Sequence, residues 1–183
     1  ANLVVYPAPE NGSSIAKKIA APHFPKTCEE LPVYIPMSTN RFPAMRIYKS
    51  ASEKIFNAAL EHKTVVILCE GDPFFYGSFM YLFGLIRKRC NVEVIPGVSS
   101  LMASAAILET PLAAGNDILT VLPAPLADDA LEKQINMADA FAIIKLGRHF
   151  SRIRRLLEKL GLLENSVYIC LLYTSDAADE RLS

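Results

Sequence analysis

Two consecutive strand–loop–helix units in the middle of the chain constrain its fold more than any other feature. In the first, Thr64–Cys69 is a continuous apolar run that ends in a loop before the apolar stretch Tyr76–Arg89. In the second, Val92–Ile95 ends in another loop before a helix predicted at Leu101–Leu108. Apolar runs without alternation are typical of parallel strands covered on both faces. The two units therefore predict a parallel sheet with helices packed on it.

The remainder of the chain alternates in the same way. Hydrophobic periodicity predicts further strands at Leu3–Tyr6, Val33–Ile35, Leu119–Leu122 and Phe141–Lys145. It predicts further helices at Pro43–His62, Asp128–Met137 and Phe150–Leu160, and a short helix through Ala20 that Ser13 or Ser14 can cap. Thr110–Asn116 contains Pro111 and Gly115, a composition that favours a linker. We therefore expect an α/β fold, with a doubly wound, mostly parallel sheet over residues 1–114 and the first half of a second α/β domain over residues 115–169.

Both ends of the chain suggest truncation. Ala1 stands directly before the first predicted strand, so we expect that a preceding strand and loop are missing. Val167–Ile169 is typical of the start of a strand. Residues 170–183 resemble the translated read-through of a DNA-sequencing adapter, with a genuine polar tail as the alternative, and they carry no functional argument.

Composition excludes several classes of function. The 19 basic and 19 acidic residues balance to a net charge of zero, which disfavours a nucleic-acid-binding protein. The longest apolar stretch, Phe74–Ile86, is too short to cross a membrane. The four cysteines are scattered and show no metal-ligand spacing with the three histidines, so we expect no metal site and a cytoplasmic location.

The two central loops are the first candidates for a ligand site, because ligands of open parallel sheets bind at the carboxyl ends of strands. These loops are Glu70–Tyr76 and Pro96–Ser100, and we expect their Gly71 and Gly97 turns to lie side by side on one rim. Gly71 permits a sharp turn and a close approach to a ligand. The Asp72 carboxylate is suited to accept hydrogen bonds from ribose hydroxyls or an amine, but it is equally suited to cap the following helix. Both interpretations remain open at this point.

Other polar residues carry weaker signals. Ser99 and Ser100 precede a helix and could hold a carboxylate, although ordinary helix capping is favoured. Gly147 follows a predicted strand, where a plain turn glycine is favoured. Arg41, Arg46 and Arg148 could meet an acidic substrate, but such residues are also common on solvated helix faces.

Six sequence blocks in order resemble the tetrapyrrole methylase family. They are Tyr6–Pro9, Ala20–Phe24, Arg41–Ala44, Leu68–Phe83, Val94–Met102 and Lys145–His149. The resemblance implies a two-domain homodimer that binds S-adenosylmethionine in the cleft between its domains. Within the family, the blocks are most similar to members that methylate C-20 of precorrin-2 during cobalamin biosynthesis.

The family's donor-binding positions fall on residues of three loops of this sequence. They are Glu70, Gly71, Asp72, Phe75, Ser99, Ser100, Leu146 and Gly147. Many relatives have methionine at the position of Leu146. The family's glycine- and proline-rich first loop is absent, so we expect this chain to bind the donor poorly and to be inactive by itself. No catalytic residue is assigned, because the accepting carbon of the macrocycle is already electron-rich.

Several alternatives remain open. Another tetrapyrrole methylase could act on cobalt-precorrin-2 or uroporphyrinogen, and a related class of enzyme methylates ribosomal RNA. A non-catalytic α/β domain that binds a nucleotide-like ligand is the alternative outside the enzymes. The Phe74–Ser78 block favours the metal-free precorrin.

Overall fold

The computed structural model describes residues 1–10, 13–34 and 41–170, with the backbone alone for residues 41–44. Short 3₁₀ turns occur at Ala21–His23, Gly147–His149 and Leu163–Asn165. The strands and helices, in chain order, are β1 Leu3–Ala8, α1 Ile15–Ala20, β2 Glu29–Tyr34, α2 Arg41–Leu60, β3 Val65–Ile67, α3 Phe79–Ile86, α4 Ser100–Ile107, β4 Leu119–Pro123, α5 Asp128–Ile135, β5 Ala140–Ile144 and α6 Phe150–Lys159.

The chain divides into two compact units. The first is Ala1–Ser99 and the second begins at Ser100. The sequence places the domain boundary near residue 114, whereas α4 and the following linker group with the second unit in the structure. The domain limits derived from the sequence therefore remain a prediction.

The sheet of the first unit is parallel, with the strand order β2-β1-β3. Leu3 of β1 lies opposite Glu29 of β2 on one side and Val65 of β3 on the other. Two crossovers, each containing a helix, connect these strands, as parallel neighbours require. The predicted α/β class with a parallel sheet is confirmed.

The central strand β1 carries the core of this unit, because both of its faces are covered. Leu3 and Val5 pack with the buried side chains of α2 and α3, among them Ile55 and Leu82. On the other face, Val4, Tyr6 and Ala8 form a second cluster against Phe24 and Cys28. This double coverage is the doubly wound arrangement that the sequence predicts.

A polar cluster fastens α1 to the sheet. The Tyr6 hydroxyl donates to the Glu30 carboxylate at 2.7 Å, and the Lys17 ammonium lies 2.6 Å from the same carboxylate. Lys17 lowers the pKa of Glu30, and burial raises the pKa of Tyr6. At the start of α1, the Ser14 side chain accepts from the backbone N–H of Lys17, which confirms one of the two predicted capping serines.

Three predictions about strands need correction. β2 begins at Glu29, before the predicted Val33, because pairing with β1 recruits polar residues that the hydrophobic pattern excludes. Thr64–Cys69 contributes only Val65–Ile67 to the sheet, and Val66 is 39% exposed, so this edge strand is not covered on both faces. Val92–Ile95 forms no strand, because among the described residues it has no hydrogen-bonded strand neighbour.

The second unit is built on the parallel pair β4 and β5, with Leu119 opposite Ala140. The buried side chains of α5 and α6 pack on this pair, with Leu131 fully buried. The Arg152 guanidinium joins α6 to the start of α5 by donating to the Asp128 carboxylate and the Ala124 carbonyl.

The remaining predictions concern the end of the chain and its broad class. Val167 makes a single bridge and Val167–Ile169 is not a strand, while residues 171–183 lie outside the described part. All four cysteines are free. Within the described ranges, no helix is long and apolar enough to span a membrane.

Candidate functional site

The connection between β3 and α3 runs from the carboxyl edge of the sheet and has an unusual backbone. Gly71 has a φ of +70°, which glycine adopts without strain. Tyr76 has a φ of +54°, which is uncommon for a residue with a side chain. Such a conformation persists only where the surrounding structure enforces it, and it is more frequent at functional sites.

Asp72 uses both of its carboxylate oxygens on backbone N–H groups. Oδ1 accepts from Phe74 at 2.9 Å, and Oδ2 accepts from Gly97 at 3.0 Å. These two bonds, the Gly97 bond first, lower the pKa of the Asp72 carboxyl. The helix-capping interpretation of Asp72 is wrong, because α3 begins at Phe79 and its N-cap residue is Ser78.

Gly71 and Gly97 lie side by side at this edge. A Cβ atom added to Gly97 would stand 2.3 Å from the Gly71 carbonyl oxygen, which is far inside van der Waals contact. A Cβ atom added to Gly71 would stand 3.6 Å from the Val98 carbonyl oxygen. The two loops therefore pack backbone against backbone, and the prediction that their glycine turns share one rim is confirmed.

The first of the two loops carries negative charge and the second carries none. Glu70 and Asp72 are the charged residues of the stretch 70–76, and neither this stretch nor 96–99 contains a lysine, arginine or histidine. Glu70 is exposed. The first loop therefore favours cations over anions.

A cavity of about 230 Å³ lies beside the first loop. The ends of β1 and β3, the Tyr48 side chain of α2 and the start of α3 line it. Glu70 is the predicted site residue among those that line it, and most of the other lining side chains are apolar. The cavity can therefore exclude water from part of a ligand while Glu70 presents an acceptor at its wall.

Sequence reasoning missed several residues of the cavity wall, which include Tyr6, Tyr48, Cys69 and Ser78. Tyr48 shares the buried stripe of α2 with Ala51 and Ile55, so helical spacing back from these two residues could have identified it. Burial raises the pKa of the Cys69 thiol, which keeps it protonated and weakly nucleophilic.

The other predicted donor positions are distributed as follows. Phe75 is half-buried and packs edge-on against the Tyr76 ring at 5.1 Å, while Ser99 ends the second loop and Ser100 begins α4. Leu146 and Gly147 follow β5 in the second unit, where Lys145 has a φ of +62° and Gly147 a φ of +37°.

The structure says less about the arginines that are predicted to meet an acidic substrate. Arg46 is exposed on α2, and Arg148 is exposed in the 3₁₀ turn before α6. The side chain of Arg41 lies outside the described residues. Across the described part of the chain, no group of three His, Cys, Asp or Glu residues could hold a metal ion.

Comparison with proteins of known relationship gives consistent matches. Residues 1–175 match the profile of the tetrapyrrole (corrin/porphyrin) methylases. The cobalamin biosynthesis protein CobIJ of Mycobacterium tuberculosis is 36% identical over 178 residues, which cover 92% of this chain and 35% of that protein. The precorrin-2 C(20)-methyltransferase of a Sinorhizobium species is 34% identical over 167 residues, which cover 87% of this chain and 66% of that enzyme.

A solved structure supports the same fold. The cobalt precorrin-4 methyltransferase CbiF superposes with a TM-score of 0.59 at 22% identity, over 88% of this chain and 64% of that structure. This chain spans about a third of the length of the CobIJ protein that it matches. On the match over residues 1–175, the chain belongs to the tetrapyrrole methylase family.

Proposed function

We propose that this chain carries part of the active site of an S-adenosylmethionine-dependent methyltransferase that methylates C-20 of precorrin-2 in corrin-ring synthesis. The observation that carries the proposal is the pair of glycine-packed loops at the carboxyl edge of the first sheet, the first of which carries Glu70 and Asp72. The similarity to the Sinorhizobium enzyme, named for this reaction, supports the substrate. The homodimer and the cytoplasmic location belong to the same proposal.

The loop residues fit a cationic methyl donor. Gly71 and Gly97 present backbone without side chains, so a ligand can approach closely. The Glu70 and Asp72 carboxylates produce a negative potential that favours a sulfonium. Phe75 and Ser99 are further proposed donor positions in these loops, and the family resemblance adds Ser100, Leu146 and Gly147.

S-adenosylmethionine would supply an electrophilic methyl group on a positively charged sulfur. This chain would contribute alignment, because holding two reactants in place can lower a barrier by roughly 7–11 kcal/mol. The apolar wall of the cavity beside Glu70 would exclude water, which favours a transition state whose positive charge is dispersed. The mechanism assigns no general base to a residue of this chain.

The substrate's carboxylates need a different part of the surface. The acidic first loop repels a polyanionic tetrapyrrole, so its side arms would be met by cationic residues elsewhere. Arg46 and Arg148 are exposed and suited to this role, and Arg41 is a third candidate from the sequence.

Methyl transfer tests the function directly. In a chimera, residues 1–169 of this chain would replace the aligned region of the Sinorhizobium enzyme. The chimera would then be assayed with S-adenosylmethionine that carries a labelled methyl group. Its candidate acceptors would be precorrin-2, cobalt-precorrin-2 or uroporphyrinogen. We expect label in precorrin-2 before the other two. Transfer to another acceptor would reassign the substrate, and donor binding without transfer to any of them would contradict the enzymatic function.

Charge reversal in the same chimera tests the arginines. Arg46→Glu and Arg148→Glu should raise the KM for the tetrapyrrole and leave the KM for the donor unchanged. Lys88→Glu is a matched control, because Lys88 is also exposed but follows the carboxyl end of α3, away from the loop that precedes this helix. An unchanged KM would remove the arginine concerned from the substrate site.

A further inference from the structure

Asp72 is already committed within the protein. Its two oxygens accept from Phe74 in its own loop and from Gly97 in the second loop, at 2.9 Å and 3.0 Å. Each carboxylate oxygen accepts one of these bonds, and together the two bonds fix the orientation of the group. The group that the sequence offers as a ligand for ribose hydroxyls or an amine therefore connects two segments 25 positions apart.

The second loop depends on this connection. Residues 91–98 belong to no helix or strand. The Gly97 N–H donates to the Asp72 carboxylate and so joins this segment to the first loop. Val92 packs against the core of the first unit, but Ile95 and Val98 are 77% and 70% exposed, so apolar burial holds the Gly97 end of the segment only weakly.

The contact is also sterically specific. The Gly71 carbonyl oxygen occupies the space that a Cβ atom of Gly97 would need. The second loop can therefore reach the Asp72 carboxylate only because residue 97 lacks a side chain. Asp72 and Gly97 work as a pair, one by its charge and the other by its missing side chain.

We infer that Asp72 is a positioning residue, which clamps the Pro96–Ser99 loop against the Gly71 turn and thereby shapes the donor site without contacting the donor. This inference rests on the proposed function and refines it. Donor contacts then fall on the backbone of the two loops and on side chains such as Glu70 and Ser99.

Amide hydrogen exchange on the 183-residue chain tests the clamp without any ligand. In Asp72→Ala, the Gly97 amide should exchange roughly tenfold faster or more, because a charge-assisted bond is lost. Asp72→Asn should fall between, since its amide oxygen still accepts one bond. Asp117→Ala is the matched control: Asp117 accepts from the Ala114 N–H at 2.8 Å, so Ala114 should respond and Gly97 should not.

A ligand cycle separates an indirect role from a direct one. S-adenosylhomocysteine and its analogues lacking the ribose hydroxyls or the amino group would be titrated into the chimera with and without Asp72→Ala. A clamp predicts that each analogue loses the same factor of affinity in both proteins. If removing one of these ligand groups weakens binding to the protein with Asp72 but not to Asp72→Ala, Asp72 contacts that group directly and the inference is overturned.

The two proposals fail in different ways. Unchanged Gly97 exchange in Asp72→Ala would overturn the clamp, whatever the chain binds. Faster Gly97 exchange with no binding of S-adenosylhomocysteine by the chain or by the chimera would contradict the proposed function and the donor-positioning role, and would leave a clamp of purely structural importance.

Discussion

The loop after β3 and the turn after β5 occupy equivalent positions in their units, but different interactions hold them. Each joins the carboxyl end of a parallel strand to a helix, and each contains a glycine and a non-glycine residue with positive φ. The first is held by the Asp72 side chain, which reaches into another loop. The second is closed locally, where the His149 N–H donates to the Leu146 carbonyl at 2.6 Å.

This difference determines how each connection responds to substitution. The shape of the first depends on one carboxylate and on one contact between distant glycines. The shape of the second depends on backbone bonds within a few residues, and a Cβ atom added to Gly147 would have no atom within 4 Å. We therefore expect single substitutions to disrupt the first loop more than the second.

Alanine at the two glycines should give the largest contrast. Gly97→Ala should reduce the free energy of unfolding of the first unit by roughly 1–3 kcal/mol, because backbone must move to admit the Cβ atom. Gly147→Ala should cost about 1 kcal/mol, since it adds only conformational strain at a φ of +37°. Urea denaturation of both variants measures this, and equal losses would remove the contrast.

Acid should loosen the first loop selectively. The pKa of Asp72 is lower in the folded chain than in the unfolded chain, so its contribution is present above the ordinary carboxyl range. That contribution is lost as the pH falls through the lowered value. The Gly97 amide signal should follow this titration, whereas in Asp72→Asn the transition should be absent. A transition that survives in Asp72→Asn would assign it to a group other than Asp72 and contradict this expectation.

Relief of strain in the second turn should give the smallest effect. Lys145→Gly removes a side chain from a residue with a φ of +62° but makes the unfolded chain more flexible. The two effects oppose each other, so the free energy of unfolding should rise by no more than about 1 kcal/mol. A loss of more than that amount would mean that the Lys145 side chain stabilises the turn.

The sequence predicts the parts of this molecule that local pattern controls. The apolar residues of β1, the stripe of α2 and the positions of the two glycine loops follow from periodicity and from the rule that ligands bind at strand ends. The resemblance to the family adds the donor and the substrate class, which periodicity alone does not contain.

Long-range pairing explains what sequence reasoning missed. Glu29 and Glu30 belong to β2 because their backbone pairs with β1. Their carboxylates also have partners: Lys63 donates to Glu29, whereas Tyr6 donates to Glu30 and Lys17 forms an ion pair with it. Val92–Ile95 has strand-forming residues but no described strand beside it. The strand-end rule predicts that the two loops are close, but only the folded chain shows that the Gly97 N–H donates to Asp72.

The most direct test of the donor site is to titrate S-adenosylhomocysteine into the ¹⁵N-labelled chimera, because the chain by itself is expected to bind the donor poorly, and to follow the glycine amides. We expect the Gly71 and Gly97 signals to shift together and to saturate at the same ligand concentration. Gly161, which has a similar positive φ in the second unit but no predicted role, should stay unchanged. Stationary Gly71 and Gly97 signals up to the solubility limit, or an equal shift at Gly161, would contradict the assignment of the donor site to these loops.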